Sequence, residues 1–224
     1  MTDRGLDMKG DWDRRARENA RYYIATSVEG GEEAFAASGR NDVEHLFADL
    51  EHLLGTERDV LDIGCGIGRM DCVVAPRVRS LCGIDVSGEM VRRARERAAH
   101  LENARFVEGD GWTLAPLEDA SFDLVFSHIV FQHVPRAVSR SYFAEVARVL
   151  RPGGDLVMQM PEAVPGAPPD PPEDDTFEMR FWTEPDLRAA LEEAGLAWSS
   201  CRRFPVDSEH LKFNHLRVHA TRGG

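Results

Sequence analysis

The chain has no long apolar run, no C-x-x-C pair and little positive charge, and each shortage removes a class of protein. No stretch approaches the ~18 consecutive apolar residues that a membrane-spanning helix needs. The opening "MTDRGLDMKGDWDRRARENA" is charged and lacks the apolar centre of a secretory signal, so a cytoplasmic protein with no membrane partner is expected. The four cysteines, Cys65, Cys72, Cys82 and Cys201, are not spaced for zinc and read as reduced, packed thiols. Lys and Arg number 27 against 39 Asp and Glu, a net charge of −12. Such a chain repels a phosphate backbone unless its cations gather in one patch. The densest basic stretch, "RRARER" at residues 92–97, falls in a helical pattern and reads as a solvated face, so no nucleic-acid partner is expected.

With 224 residues, the chain suits one well-buried domain. Residues 11–26 read as a helix with Trp12, Ala16 and Tyr23 near one face. "VEGGEEAFAASGR" reads as a break. "NDVEHLFADLEHLLG" follows as a second helix, capped by Asn41 or Asp42 and stopped at Gly55. From Asp59 strands and helices alternate: strands at "DVLDIG", "SLCGIDV", "ARFVEGD", "FDLVFS" and "DLVMQM", helices at residues 67–75, 88–99 and 136–150, and a turn at "RPGG". Apolar strands in repeated βα units predict an α/β, doubly wound, Rossmann-like sheet, mostly parallel, with helices on both faces. Six prolines between Pro161 and Pro172 predict a surface loop over residues 161–175. "TEPDLRAALEEAGL" predicts a helix with Thr183 as N-cap and Pro185 in its first turn. "LAWSSCRRF" and "HLRVHATR" predict a closing antiparallel pair, giving about seven strands in all.

The apolar run Val60-Leu61 leads into "DIGCGIGR", with glycines at 64, 66 and 68. A dinucleotide fingerprint places a third glycine where this chain has Arg69, and a phosphate-binding Walker loop needs a Gly-Lys-Ser/Thr that is absent. Two later strands end in acids, Asp85 in "GIDVSGEM" and Asp110 in "EGDGW". In an open parallel sheet these ends meet where ligands bind. A carboxylate at Asp85 can accept from two ribose hydroxyls, Val86 offers an apolar face to a base, and Asp110 with Gly111-Trp112 can flank it. Each acid alone also reads as a turn or helix cap.

Taken in order, "VLDIGCGIGR", "GIDVSGEM", "FVEGDGW", "FDLVFSHIVFQHV" and "VLRPGGDLVM" resemble the successive motifs of the class I S-adenosylmethionine-dependent methyltransferases, over residues 59–161 and, with the "FWTEPDLRAALEEAGL" segment, nearly to the C-terminus. The resemblance implies S-adenosyl-L-methionine as cofactor and a seven-stranded sheet whose last strand is antiparallel. It puts Asp62, Gly64, Cys65 and Gly66 by the methionine part, Asp85 by the ribose, and Asp110 and Trp112 by the adenine. It also counts Val86, Met90, Gly111 and Ser127 among the cofactor positions. It implies that residues 1–55 form a helical cap or lid on a core of residues 56–224, where Trp12, Tyr22 and Tyr23 either close over a ligand or simply pack.

Methyl transfer needs in-line alignment and exclusion of water, and a general base only if the acceptor carries a proton. His128 and His133, after the fourth strand, are the candidates; either can instead hydrogen-bond the backbone. His45, His52 and His100 read as solvated. His210, His215 and His219 share no face with a carboxylate, and "SHIVFQHVPR" holds no acid, so no metal is expected. The expected function is methylation of a small molecule, possible within secondary metabolism. Protein or RNA methylation and a non-catalytic cofactor-binding subunit are the alternatives. Neither the acceptor nor the oligomeric state is legible.

Overall fold

The computed structural model describes residues 7–25, 30–165, 168–207 and 212–224. Seven strands, β1 (Asp59–Ile63), β2 (Ser80–Asp85), β3 (Ala104–Glu108), β4 (Phe122–Ser127), β5 (Leu150–Glu162), β6 (Leu196–Asp207) and β7 (Lys212–Arg222), form one sheet in the order β3-β2-β1-β4-β5-β7-β6. Strands β1 to β5 pair in parallel, and β7 runs antiparallel to both β5 and β6. The expected sheet, with its antiparallel last strand, is therefore present.

Successive residues of a strand face opposite sides, and here both sides are covered. Leu61, Ile63, Val125, Leu156 and Met158 join a core with α5 (Arg136–Val149) and α6 (Glu184–Glu193). Val60, Leu124, Phe126 and Val157 join another with α2 (Glu32–Leu46) and α3 (Asp71–Val74). Order reverses between β1 and β4, so the ends of those strands open a crevice. Helix α4 (Gly88–Arg97) begins beside it, its first turn capped by the Ser87 hydroxyl, which accepts from the Met90 amide at 3.1 Å. As read from sequence, Thr183 caps α6, accepting from the Asp186 amide at 3.2 Å. The arginines of residues 92–97 are committed locally: Arg92 and Arg93 to Glu89, Arg97 to Glu32, and Arg95 to the Phe106 carbonyl.

Four local expectations need correction. Helix α2 does not begin at Asn41 or Asp42 but at Glu32, and it ends at Leu46, well before Gly55. Phe35, Gly39, Val43 and Leu46 form its buried stripe, and two glutamates occupy its first turn, where the helix dipole favours acids. The helix expected over residues 67–75 starts only at Asp71, because Gly68 takes a φ of +76°. Pro76 does not stop it but sits in a following 3-10 turn, Ala75–Arg77. "RPGG" lies inside β5: Phe122 pairs with Leu150 and Leu124 with Asp155, so the intervening residues bulge out of the ladder. The Pro-rich stretch begins within β5, which extends to Glu162. Helix α1 (Met8–Ile24) is interrupted at Asn19, whose φ of −166° is extended.

Gly39 sits mid-helix because α2 crosses the glycine turn at backbone contact: an added Cβ would lie 2.8 Å from both the Arg69 carbonyl oxygen and its Cγ. Arg69, only 6% exposed, donates to the Ser38 hydroxyl at 3.0 Å and pairs with Asp42. Ser38, Gly39 and Asp42 thus form the seat of one buried guanidinium. Gly39→Ala is expected to destabilise the fold by about 1–3 kcal/mol through overpacking, against a helix-propensity gain of at most ~1 kcal/mol. A lowered urea midpoint with unchanged slope is the expected result; an unchanged or raised midpoint would show that α2 and the turn separate freely.

Candidate active site

The cavity at the carboxyl ends of β1, β2 and β4 is walled by the glycine turn, by Asp62, Asp85, Val86 and Met90, by Gly111, by residues 128–131 and by Met8, Trp12 and Ile24 of α1. Gly64 and Gly66 have φ of +78° and +54°, and added Cβ atoms would lie 2.3 Å from Val130 Cγ2 and 2.8 Å from Ile24 Cδ1. Only glycine permits both the left-handed backbone and this approach. Asp85 accepts from the Gly66 amide and from the Ser87 amide, each at 2.9 Å. Burial pushes its carboxyl up to about 6, against the pull of those two amides.

Helix α1 is fastened over this end of the sheet. Asp13 accepts from the Ser87 hydroxyl at 2.6 Å and from the Glu89 amide at 3.2 Å, an α1 acid at the N-terminus of α4. Arg15 donates to the Thr176 hydroxyl at 2.9 Å, which in turn donates to Asp11 at 2.8 Å. The Arg15 guanidinium lies 4.9 Å from the Trp12 ring centre and 5.0 Å from that of Phe177. A second cavity opens beyond Tyr23, Arg69, Ile129 and His133, which line both, towards Ser38, Asp42, Gln132, Phe177, Glu178 and Met179. Between the two, Ile129 holds a φ of +57°, a conformation that costs a β-branched residue about 1–3 kcal/mol.

Of the residues singled out from sequence, Asp62, Gly64, Cys65, Gly66, Asp85, Val86, Met90, Gly111, His128 and His133 border the first cavity. Asp110, Trp112 and Ser127 do not line it. The Asp110 carboxylate accepts from the amides of Trp112 and Thr113 at 2.7 Å and from the Thr113 hydroxyl at 2.8 Å, so it closes its own turn. These bonds hold its carboxyl below the usual range against partial burial. Trp112 packs against the main core, and Ser127 donates to the Ile63 carbonyl at 2.9 Å, tying β4 to β1.

The two histidines differ. The Nδ1 of His133 bonds the Phe177 carbonyl, so that nitrogen carries the hydrogen, and Nε2 accepts from the Gln132 amide at 2.9 Å. Its ring stacks on Phe177 at 5.7 Å with Trp12 edge-on. His128 lines the cavity with no hydrogen bond among the described residues. Burial pushes both imidazoles down to about 4. His45, His52 and His100 are exposed, His219 bonds Asp155 at 2.8 Å, and His210 lies outside the described residues. No group of His, Cys, Asp or Glu among the described residues suits a metal.

Several site residues carried no readable local signal. Asp13, Ile129, Phe177 and buried Tyr142 reach the site from remote segments. So does Arg180, fully buried, which donates to the carbonyls of Pro172 and Asp175 and holds that segment closed. Asp71 lies beneath the turn, in contact with Asp62.

Comparison with known proteins agrees with this geometry. Residues 60–154 match the model of a methyltransferase domain family. The chain is 33% identical over 136 residues to 2-methyl-6-phytyl-1,4-hydroquinone methyltransferase of Synechocystis, covering 60% of this chain and 39% of that one. It is 37% identical over 107 residues to trans-aconitate 2-methyltransferase of Afipia carboxidovorans, covering 47% and 39%. It thus spans less than half the length of the curated relatives it matches. Magnesium protoporphyrin IX methyltransferase of Synechocystis, solved with bound S-adenosylhomocysteine, shares the fold with a TM-score of 0.67 at 17% identity, over 96% of this chain and 98% of that one. Shared fold and matched sequence meet in the same strands: residues 60–154 match a methyltransferase domain, in a fold that solved S-adenosylmethionine-dependent methyltransferases share.

Proposed function

We propose that the protein transfers a methyl group from S-adenosylmethionine to a small-molecule acceptor seated in the second cavity. The observation that carries this reading is Asp85: a half-buried carboxylate at a strand end, oriented by two backbone amides beside a cavity whose glycines leave room for a ligand. The residues fit the cofactor. Asp85 would hold the ribose, Val86, Met90 and Gly111 the adenine, and Asp62 with Gly64, Cys65 and Gly66 the amino-acid part. Asp110 and Trp112 would act by shaping the Gly111 turn, and Ser127 by joining the two strands at the crevice. When bound, the cofactor supplies an electrophilic methyl group.

The chain's own residues would align the acceptor and keep water out. Residues 1–55, read as a cap on the core, would do the latter through Trp12, Tyr23 and the Arg15–Thr176 link. His133, which borders both cavities, is locked by both ring nitrogens, so we assign it a positioning role; His128, on the wall of the first cavity alone, is the imidazole with no described hydrogen bond. Neutral near pH 7 and held at about 4, both are weak proton acceptors, which favours an acceptor that arrives ionised, such as a carboxylate. Arg69 borders both cavities, and the relative named for trans-aconitate acts on an acid. A cytoplasmic setting belongs to the same proposal; the four cysteines are unpaired, and no described helix is long and apolar enough to cross a membrane.

Three outcomes test this reading. S-adenosylhomocysteine at a hundred times its Kd is expected to stabilise the fold by about 2.7 kcal/mol, NADH by nothing, and Asp85→Ala to lose most of the shift. A full shift in that variant would remove Asp85 from the ribose. Amide exchange across residues 8–24 is expected to slow on adding S-adenosylhomocysteine, as for a segment that closes on ligand; equal exchange would leave α1 as plain packing. With a tritiated methyl donor and a panel of small acids and phenols, acids are expected to be methylated at a rate flat between pH 5.5 and 8. His128→Gln and His133→Gln would each stay within about tenfold of wild type. A loss of roughly a hundredfold in either, with removal of an acid limb from the pH profile, would instead identify that histidine as the base.

A further inference from the structure

We propose that Asp71 shares a single proton with Asp62, and that seating an ammonium group beside Asp62 expels this proton to solvent. The inference rests on the cofactor reading above and assigns a positioning residue that touches no ligand. Asp62, the last residue but one of β1, borders the cavity at 4% exposure, while Asp71 opens α3 with no exposure at all. Neither Asp71 oxygen receives a well-aligned hydrogen bond from any described residue; its own backbone amide lies near enough to favour the ionised form, and its carboxyl lies in hydrogen-bonding contact with that of Asp62. Two ionised carboxylates in contact repel and offer no donor; one proton between them supplies the missing donor and removes the repulsion.

The surroundings hold that proton in place. Asp85, on β2, adds a further negative charge, and the Cys65 and Cys82 thiols, themselves pushed up by burial, bring none of the opposite sign. Arg69 is the nearby cation, but it is committed to Ser38 and Asp42 of α2. Asp13, on α1, acts on Asp85 in the same direction. Burial pushes Asp71 up to about 7 and Asp62 well above the carboxylate range. A ligand ammonium reverses the balance: with a cation at the cavity wall both carboxylates can ionise, and the proton leaves.

The sign follows from competition between proton and cation. As pH falls below the titration of the pair, affinity for a ligand carrying the ammonium falls by up to about tenfold per unit. Calorimetry in buffers of different ionisation enthalpy reads the protons directly. S-adenosylhomocysteine and 5′-methylthioadenosine both carry the ribose that would face Asp85, but only the former has the amino-acid part. At pH 6 the former is expected to release close to one proton more than the latter, and at pH 8.5 nearly the same number. In Asp71→Asn, whose amide donates to Asp62 permanently, the difference is expected to vanish and affinity for S-adenosylhomocysteine to become flat with pH. Equal release for the two ligands in wild type, or an undiminished difference in Asp71→Asn, would overturn the proposal. Infrared spectroscopy of the protein without ligand separates the two readings. A protonated-carboxyl band lost in both Asp71→Asn and Asp62→Asn supports the shared proton even if no nucleoside binds; its absence in wild type overturns the pair. Should Asp71→Asn fail to fold, the wild-type comparison of the two ligands decides.

Discussion

Parallel strands end together, and here that geometry forces charge into one small volume. Asp62 and Asp85 lie at the carboxyl ends of neighbouring strands, and the turn after β1 brings back Arg69 and then Asp71, the first residue of α3. A buried charge costs several kcal/mol unless it is paired. Each of the four meets that cost differently: Asp85 with two amides, Arg69 with a hydroxyl and a carboxylate, and the two remaining acids with each other. The glycine turn, the place of α2 and the capping of α4 all follow from these arrangements.

The N-terminal helices are part of this arrangement rather than an appendage to it. Helix α2 supplies the seat for Arg69 and brings Gly39 onto the backbone of the turn. Helix α1 supplies Asp13 to the start of α4 and Ile24 to the face of Gly66. A motion of α1 would therefore be felt at both the ribose end and the methionine end of the proposed cofactor site. The segment around Thr176 to Arg180 bears on α1 from the other side, through Arg15 and the stacked rings of His133 and Phe177. The strained backbone of Ile129 lies where the two cavities meet, and this residue lines both.

The same crowding bears on chemistry. The partial burial that pushes two imidazoles down to about 4 and Asp85 up to about 6 strengthens electrostatic interactions within the site. It also makes proton removal by those imidazoles difficult. In the proposed reaction, alignment and exclusion of water would then be the chain's contributions, and an ionised acceptor would need nothing more.

Much of this was legible locally. Strand–helix alternation, the glycine spacing, the acids at strand ends and the Thr183 cap depend on periodicity and on residues a few positions apart, which sequence displays directly. Asp110 belongs here too: its bonds reach two and three residues on, as the turn reading allowed. What could not be read was the partner of each buried polar group. Gly39 looked like a break because a glycine in a helix is explained only by the backbone that crosses it. His133 gave no sign of Phe177, far along the chain, which takes its Nδ1 hydrogen, and Asp71 gave no sign of Asp62. Sequence by itself determined the sheet, its order of elements and the acids at its edge, because those are properties of local pattern. Tertiary structure alone decided which charges are buried together, because that depends on which distant segments the fold brings into contact.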